Sequence, residues 1–181
     1  TIVEKEGVKV ALVGTTSNLT PQKSSPANVA GVEFTDSAEQ VNIEAKKLKE
    51  SREADLVIAL IHDPADTSAA KLNSDYVDFA FGGDDHIRRL ELSTDGTVPY
   101  AQSHEYGKVV TDIAFTYDTA EKKLVKIEGE QIDASQLQEL GITPDPKVEA
   151  IVAEADENAT ELGQKVVATI DADFKLSLIH I

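Results

Sequence analysis

Three short, mostly apolar runs in the first half of the chain predict buried strands. They cover residues 8–13, 56–61 and 77–81, and polar loops follow each of them. Apolar runs of this length are typical of strands that are covered on both faces of a parallel sheet. The pattern therefore indicates an α/β fold in which the strands alternate with helices.

A helix is predicted between the first two runs. Asp36 and Glu39 have the spacing of a capping box, which marks a helix start. The apolar positions that follow, Val41, Ala45 and Leu48, fall on one helical face. This segment should cover one face of the sheet.

The pattern changes after about residue 98. Apolar and polar residues alternate from Val109 to Tyr117, and a second strand-like run covers residues 124–127. The polar turn at 118–122 joins them, so an antiparallel hairpin is predicted. Asp145 and Pro146 then predict the start of a second long helix.

We expect that helix to end near Gly163, taken as its C′ residue. The run from Val166 to Ile170 then predicts the beginning of another strand. The last residues, 176–181, complete no recognisable element.

Composition limits the classes of function. A net charge of −16 argues against binding to a nucleic-acid polymer or an anionic membrane surface. The absence of Cys excludes a disulfide, a thiolate zinc ligand and a thiol nucleophile. No apolar run reaches the ~20 residues of a membrane helix. Because the chain starts at Thr1 and contains no Met, we expect it to be a fragment or a processed product.

Candidate metal ligands follow two of the predicted strands. His62 comes directly after the run at 56–61, and Asp84 and His86 follow the run at 77–81 through Gly82 and Gly83. Parallel strands deliver such residues to one edge of a sheet. Imidazole and carboxylate donors suit zinc, manganese or iron. Each His alone also fits a capping or hydrogen-bonded role.

The order of these segments resembles the bacterial 5′-nucleotidases of the calcineurin-like metallophosphoesterase superfamily. The resemblance rests on the His-Asp that ends one strand, on the stretch Val-Asp-Phe-Ala-Phe-Gly-Gly-Asp-Asp-His at 77–86, and on Gln-Ser-His-Glu-Tyr-Gly-Lys at 102–108. It covers about residues 1–130. It implies a partial metallophosphoesterase β-sandwich that is flanked by helices.

The resemblance implies a site for two divalent metal ions, zinc, manganese or similar. His62 and Asp84 would bind one ion and His86 the other. The family usually has His where Asp84 stands, so Asp84 is either a harder ligand or the mark of a degenerate site. Asp85 matches a variable position and is interpreted as a loop carboxylate. His104 is a possible substrate contact, with a surface loop His as the alternative.

The implied activity is metal-dependent hydrolysis of a nucleotide or another phosphomonoester. A 2′,3′-cyclic phosphodiesterase is a related possibility, and a non-catalytic binding or surface module is the alternative from another class. The family's three amino-terminal motifs, Asp-x-His, Gly-Asp-x-x-Asp and Gly-Asn-His, are not matched here, since the triplet Asp84-Asp85-His86 is assigned to the family's later Gly-His-x-His motif. We therefore expect the chain to be inactive alone, with its catalytic group unassigned. An extracellular, periplasmic or cell-wall location is implied by the resemblance only.

The same resemblance predicts three parts. Residues 1–144 would form the carboxyl-terminal part of a metallophosphatase domain. Residues 145–162 would form a connector helix. Residues 163–181 would begin the family's carboxyl-terminal domain.

Overall fold

The computed structural model describes residues 1–94 and 96–169. The chain divides into two compact units, Thr1–Glu139 and a second that starts at Leu140. In chain order, the described elements are β1 (Ile2–Lys5), β2 (Val8–Thr16), α1 (Thr20–Lys23), α2 (Pro26–Val29), α3 (Ser37–Glu50), β3 (Leu56–His62), α4 (Ala65–Ala69), β4 (Phe79–Phe81), β5 (Arg89–Glu91), β6 (Tyr100–Gln102), β7 (Val109–Asp118), β8 (Lys123–Asp133), α5 (Ala134–Glu139) and α6 (Pro146–Gly163).

A six-stranded sheet forms the centre of the first unit, in the order β1-β2-β3-β4-β6-β5. Its four inner strands, β2, β3, β4 and β6, run parallel, while β1 and β5 pair antiparallel at the two edges. Ile58 on β3 lies between Leu12 on β2 and Phe79 on β4. This register brings the carboxyl ends of the inner strands to one edge of the sheet.

Different elements cover the two faces of this sheet. Helix α3 buries Val41 and Ala45 in a cluster that includes Val57 on β3. On the other face, the hairpin of β7 and β8 packs against Phe79, whose ring meets that of Phe115 edge-to-face with centroids 5.4 Å apart. The sheet, its helices and the hairpin confirm the predicted α/β fold class.

The start of α3 follows the sequence prediction closely. The Asp36 carboxylate accepts a hydrogen bond from the Glu39 backbone N–H at 3.0 Å. This contact satisfies one of the amide groups that a helix leaves unpaired in its first turn. The strands differ more from their predictions, because β2 continues to Thr16 and β4 is confined to Phe79–Phe81.

The second unit contains α6 within its described part. The Asp145 carboxylate accepts from the backbone N–H of Lys147 at 2.8 Å, as expected for an N-cap. Two predictions were wrong here. Gly163 is the last residue of α6, followed by Gln164 with right-handed backbone angles, so it is not a C′ glycine. Residues 166–169 form no strand, and Ile170 lies outside the described residues.

The apolar side of α6 lies open within its own unit. Val148, Ile151, Val152 and Leu162 are each at least half exposed. Across the described part of the chain, no helix combines the length and apolar character needed to cross a membrane.

Candidate functional site

The candidate site lies at the sheet edge where four parallel strands end. Strand β2 leads into the loop and short helix that carry Lys23, and β3 ends at His62. Strand β4 leads to Asp84 and His86, and β6 leads to Glu105. Ligands gather at this edge of open α/β sheets, because the loops that follow the strands converge there. The predicted positions therefore share one edge.

The turn after β4 is fixed by close packing. A Cβ atom on Gly82 would lie 2.5 Å from the Cα of Ala65, at the start of α4, so only glycine fits. The backbone N–H of Gly83 donates to the carbonyl of Asp63 at 2.9 Å, which ties this turn to the end of β3. Asp84 and His86 both have positive φ, at 72° and 58°. Such angles are uncommon for residues other than glycine and cluster at functional sites.

His62 and Asp84 lie close together at this edge. The Nε2 atom of His62 lies 3.9 Å from Oδ1 of Asp84, with 65% of the imidazole exposed and 17% of the carboxylate. The other oxygen, Oδ2, forms an ion pair with Nζ of Lys23. The sequence prediction had no place for Lys23, which stands 61 residues from Asp84 along the chain.

His86 is positioned by the carboxylate of Glu105 rather than by His62 and Asp84. Its Nδ1 atom lies 2.8 Å from Oε2 of Glu105. Because a carboxylate only accepts hydrogen bonds, this contact favours the neutral tautomer with its proton on Nδ1 and its lone pair on Nε2. The other oxygen of Glu105 accepts from Lys108 at 2.6 Å, and that hydrogen bond holds the pKa of Glu105 below its ordinary value.

His104 precedes Glu105 in the chain and makes a different contact with it. Its Nδ1 atom accepts a hydrogen bond from the backbone N–H of Glu105 at 2.7 Å. The predicted substrate contact is therefore an exposed loop side chain whose Nε2 carries the proton when the ring is neutral. Glu105 itself was not predicted as a site residue, although its position just after β6 was a usable signal.

Asp85 is part of the scaffold, as its interpretation as a loop carboxylate implied. Arg89 donates to both of its oxygens, at 2.8 and 2.7 Å. These contacts, with a hydrogen bond from Gln102, lower the pKa of Asp85 to about 2. Gln102 is buried and also accepts from the backbone N–H of Ala65 at 2.9 Å, which links the turn to α4.

A polar cavity of about 230 Å³ lies beside Asp63, in the loop that follows His62. Its lining includes Asp36, Ser37, Asp63 and Lys71. The Ser37 hydroxyl lies 2.7 Å from Oδ2 of Asp63. This cavity is large enough for a few water molecules.

His62 and Asp84 are close enough to share one metal ion. Two bonds of about 2.0–2.2 Å from one ion span His62 Nε2 and Asp84 Oδ1 at their separation after a small adjustment. The lone pair on Nε2 of His86 is a third donor of the right kind. Within residues 1–94 and 96–169, however, no three His, Asp or Glu side chains are grouped as a ready metal site.

Comparisons with known proteins give partial similarities to nucleases, nucleotidases and phosphoesterases. No family model matches the chain. It is 25% identical to endonuclease YhcR of Bacillus subtilis over 182 residues, which covers 96% of this chain and 15% of that protein. It is 24% identical to a 5′-nucleotidase of Vibrio vulnificus over 152 residues, 67% of this chain and 28% of that protein.

A solved structure shares the fold of this chain. The calcineurin-like phosphoesterase YfkN from Bacillus subtilis superposes with a TM-score of 0.71 and 21% identity, over 91% of this chain and 58% of that one. The chain spans less than a third of the curated relatives it matches. With the motif order and the shared sheet edge, these partial similarities support a relationship to metallophosphoesterases such as the 5′-nucleotidases, and the superposition shows a shared fold.

Proposed function

We propose that this chain supplies part of the metal and substrate site of an enzyme that hydrolyses nucleotide phosphomonoesters. The observation that carries the proposal is the 3.9 Å approach of His62 Nε2 to Asp84 Oδ1 at the carboxyl ends of two parallel strands. Relatives named 5′-nucleotidase and apyrase support a nucleotide as the substrate.

In this proposal, different residues of the chain bind the metal ions and contact the substrate. His62 and Asp84 hold one divalent ion, and His86 holds a second through Nε2 while Glu105 fixes its ring. Bound divalent ions neutralise phosphate charge and acidify a water molecule. His104 contacts the substrate from the loop after β6. A carboxylate at position 84 makes the site more negative and favours harder ions such as manganese.

The proposal assigns metal binding to this chain and turnover to a larger site. The resemblance places a catalytic His in a Gly-Asn-His motif, which this sequence lacks. The metallophosphatase part is proposed to cover residues 1–144, the connector 145–162, and the start of a further domain 163–181. A location outside the cytoplasm belongs to the same proposal.

The first test is titration of the chain with Mn²⁺ by calorimetry. His62→Ala and His86→Ala should each weaken binding at least tenfold, because each removes a ligand. His104→Ala is the matched control and should leave the metal affinity unchanged. Equal affinity in all three variants would contradict the metal site.

The second test is hydrolysis by the gene product as the cell makes it. Phosphate release from nucleoside monophosphates should require Mn²⁺ or Zn²⁺ and should be lost in His62→Ala. A product that binds nucleotide but releases no phosphate with either ion would contradict the proposed activity.

A second candidate function is a binding module that kept the fold and lost the metals. The ion pair between Lys23 and Asp84 favours it, because a lysine already neutralises the carboxylate. This candidate predicts nucleotide binding that is unchanged by EDTA and by His62→Ala. It predicts no Mn²⁺ binding that depends on His62.

A further inference from the structure

Lys23 has a defined position at the candidate site. It is the last residue of α1, in the segment that leaves the parallel strand β2. Its ammonium group forms an ion pair with Oδ2 of Asp84 while 49% of its side chain stays exposed. The helix therefore brings a half-exposed positive charge to a carboxylate that is mostly buried.

Asp84 and Lys23 pair with each other because the neighbouring carboxylate has another partner. Asp85, the next carboxylate, is engaged by Arg89 through both oxygens. Among the described residues, Lys23 makes no ion pair other than the one with Asp84. The remaining group facing Asp84 is His62, near the other oxygen. Lys23 is thus the cation that balances Asp84 when the imidazole is neutral.

We propose that Lys23 is a built-in counter-cation that competes with a divalent metal ion for Asp84. This inference rests on the proposed metal-binding function. An ion bound by His62 and Asp84 Oδ1 would share a carboxylate with the ammonium group, and two cations at one carboxylate repel each other. Metal binding then requires the ammonium group to move away, and the exposed side chain has room to do so.

Competition of this kind lets Lys23 lower the metal affinity although Lys23 is not a metal ligand. Removing the positive charge of Lys23 should tighten binding, because the metal no longer displaces it. The gain is about three- to tenfold, since the pair is partly exposed and partly screened by solvent. The effect requires the Asp84 carboxylate, so it should vanish when that charge is removed.

The experiment is Mn²⁺ titration of five forms of the chain, followed by calorimetry and by the electron paramagnetic resonance signal of free Mn²⁺. They are the natural chain, Lys23→Gln, Lys71→Gln and the double variant Lys23→Gln/Asp84→Asn, with Asp84→Asn as the reference for the last. Asn tolerates the positive φ at position 84, so the turn is preserved.

Lys71→Gln is matched in chemistry and net charge. Lys71 is an exposed lysine whose ammonium group lies 3.4 Å from Oδ2 of Asp36. We expect Lys23→Gln to bind Mn²⁺ three- to tenfold tighter than the natural chain and Lys71→Gln to bind it unchanged. Lys23→Gln should have no effect on the Asp84→Asn background.

Three results would overturn the inference. Equal affinity in Lys23→Gln and the natural chain, with binding still dependent on His62, removes the competition and leaves the proposed function standing. Equal tightening in Lys23→Gln and Lys71→Gln shows a general charge effect. No Mn²⁺ binding in any form removes the inference together with the metal site.

Discussion

His86 and Glu105 form a contact that orients a candidate metal ligand. Nδ1 of His86 lies 2.8 Å from Oε2 of Glu105, and the Tyr106 ring lies beside the imidazole with centroids 5.7 Å apart. A carboxylate on one ring nitrogen is the usual partner of a histidine that binds metal through the other. The contact therefore makes His86 suitable as a ligand, although the described residues form no cluster of three metal-ligating side chains.

Glu105→Gln should weaken Mn²⁺ binding about tenfold or more, because the neutral amide orients the ring less firmly and lowers its basicity. Titration calorimetry measures the change. Glu128→Gln is the control, since Glu128 forms an exposed ion pair with Lys126 in the hairpin. An affinity in Glu105→Gln equal to that of the control variant would show that the contact serves only the loop.

Asp84→His should shift metal preference toward zinc. An imidazole replaces a hard carboxylate, and the partner of Lys23 disappears at the same time. Relative to Asp84→Asn, which also lacks that partner, zinc affinity should rise about tenfold in a competition titration against Mn²⁺. Zinc affinity no higher in the His variant than in the Asn variant would mean that the position does not face the ion.

The main strands and helices could be predicted because local pattern determines them. The run at 56–61 lies in β3, the capping pattern at Asp36 marks the start of α3, and the alternation from Val109 coincides with β7. In each case burial on one side of the element imposes a spacing that the sequence displays directly. The approach of His62 to Asp84 follows from two such strands being parallel neighbours.

The partners of the site residues could not be predicted in the same way. Lys23 lies in a four-residue helix with no apolar periodicity, and only the tertiary fold brings it to Asp84. Glu105 reaches His86 from a loop after a three-residue strand. Gly163 is not a C′ glycine because it is the last residue of α6 itself, and Gln164 after it has right-handed angles.

Stability should depend on Asp85 in a pH-dependent way. The Arg89 guanidinium lowers the folded-state pKa of Asp85 to about 2, so the ionised form stabilises the fold above the ordinary pKa of about 3.8. Asp85→Asn should cost about 1–2 kcal/mol in urea unfolding at pH 7. That difference should shrink as the pH falls from about 4 toward 2. Asp112→Asn, an exposed carboxylate on β7, is the control, and equal costs in both variants would count against this role.

Gly82→Ala should destabilise the first unit because the turn has no room for a methyl group. The new Cβ would lie 2.5 Å from both Cα and Cβ of Ala65, so either the turn or the start of α4 must move. A forced displacement of packed backbone costs about 1–3 kcal/mol, which urea unfolding would detect. Gly14→Ala on β2 is the matched control, since its Cβ would meet nothing within 4 Å.

Gly82→Ala also tests whether the packing of this turn affects the metal site. Because Gly82 precedes Gly83 and Asp84, a displaced turn should also carry Asp84 away from His62 and weaken Mn²⁺ binding, whereas Gly14→Ala should not. Loss of stability with unchanged metal affinity would show that the turn tolerates displacement without moving the ligands, and would separate the packing role of Gly82 from the geometry of the metal site.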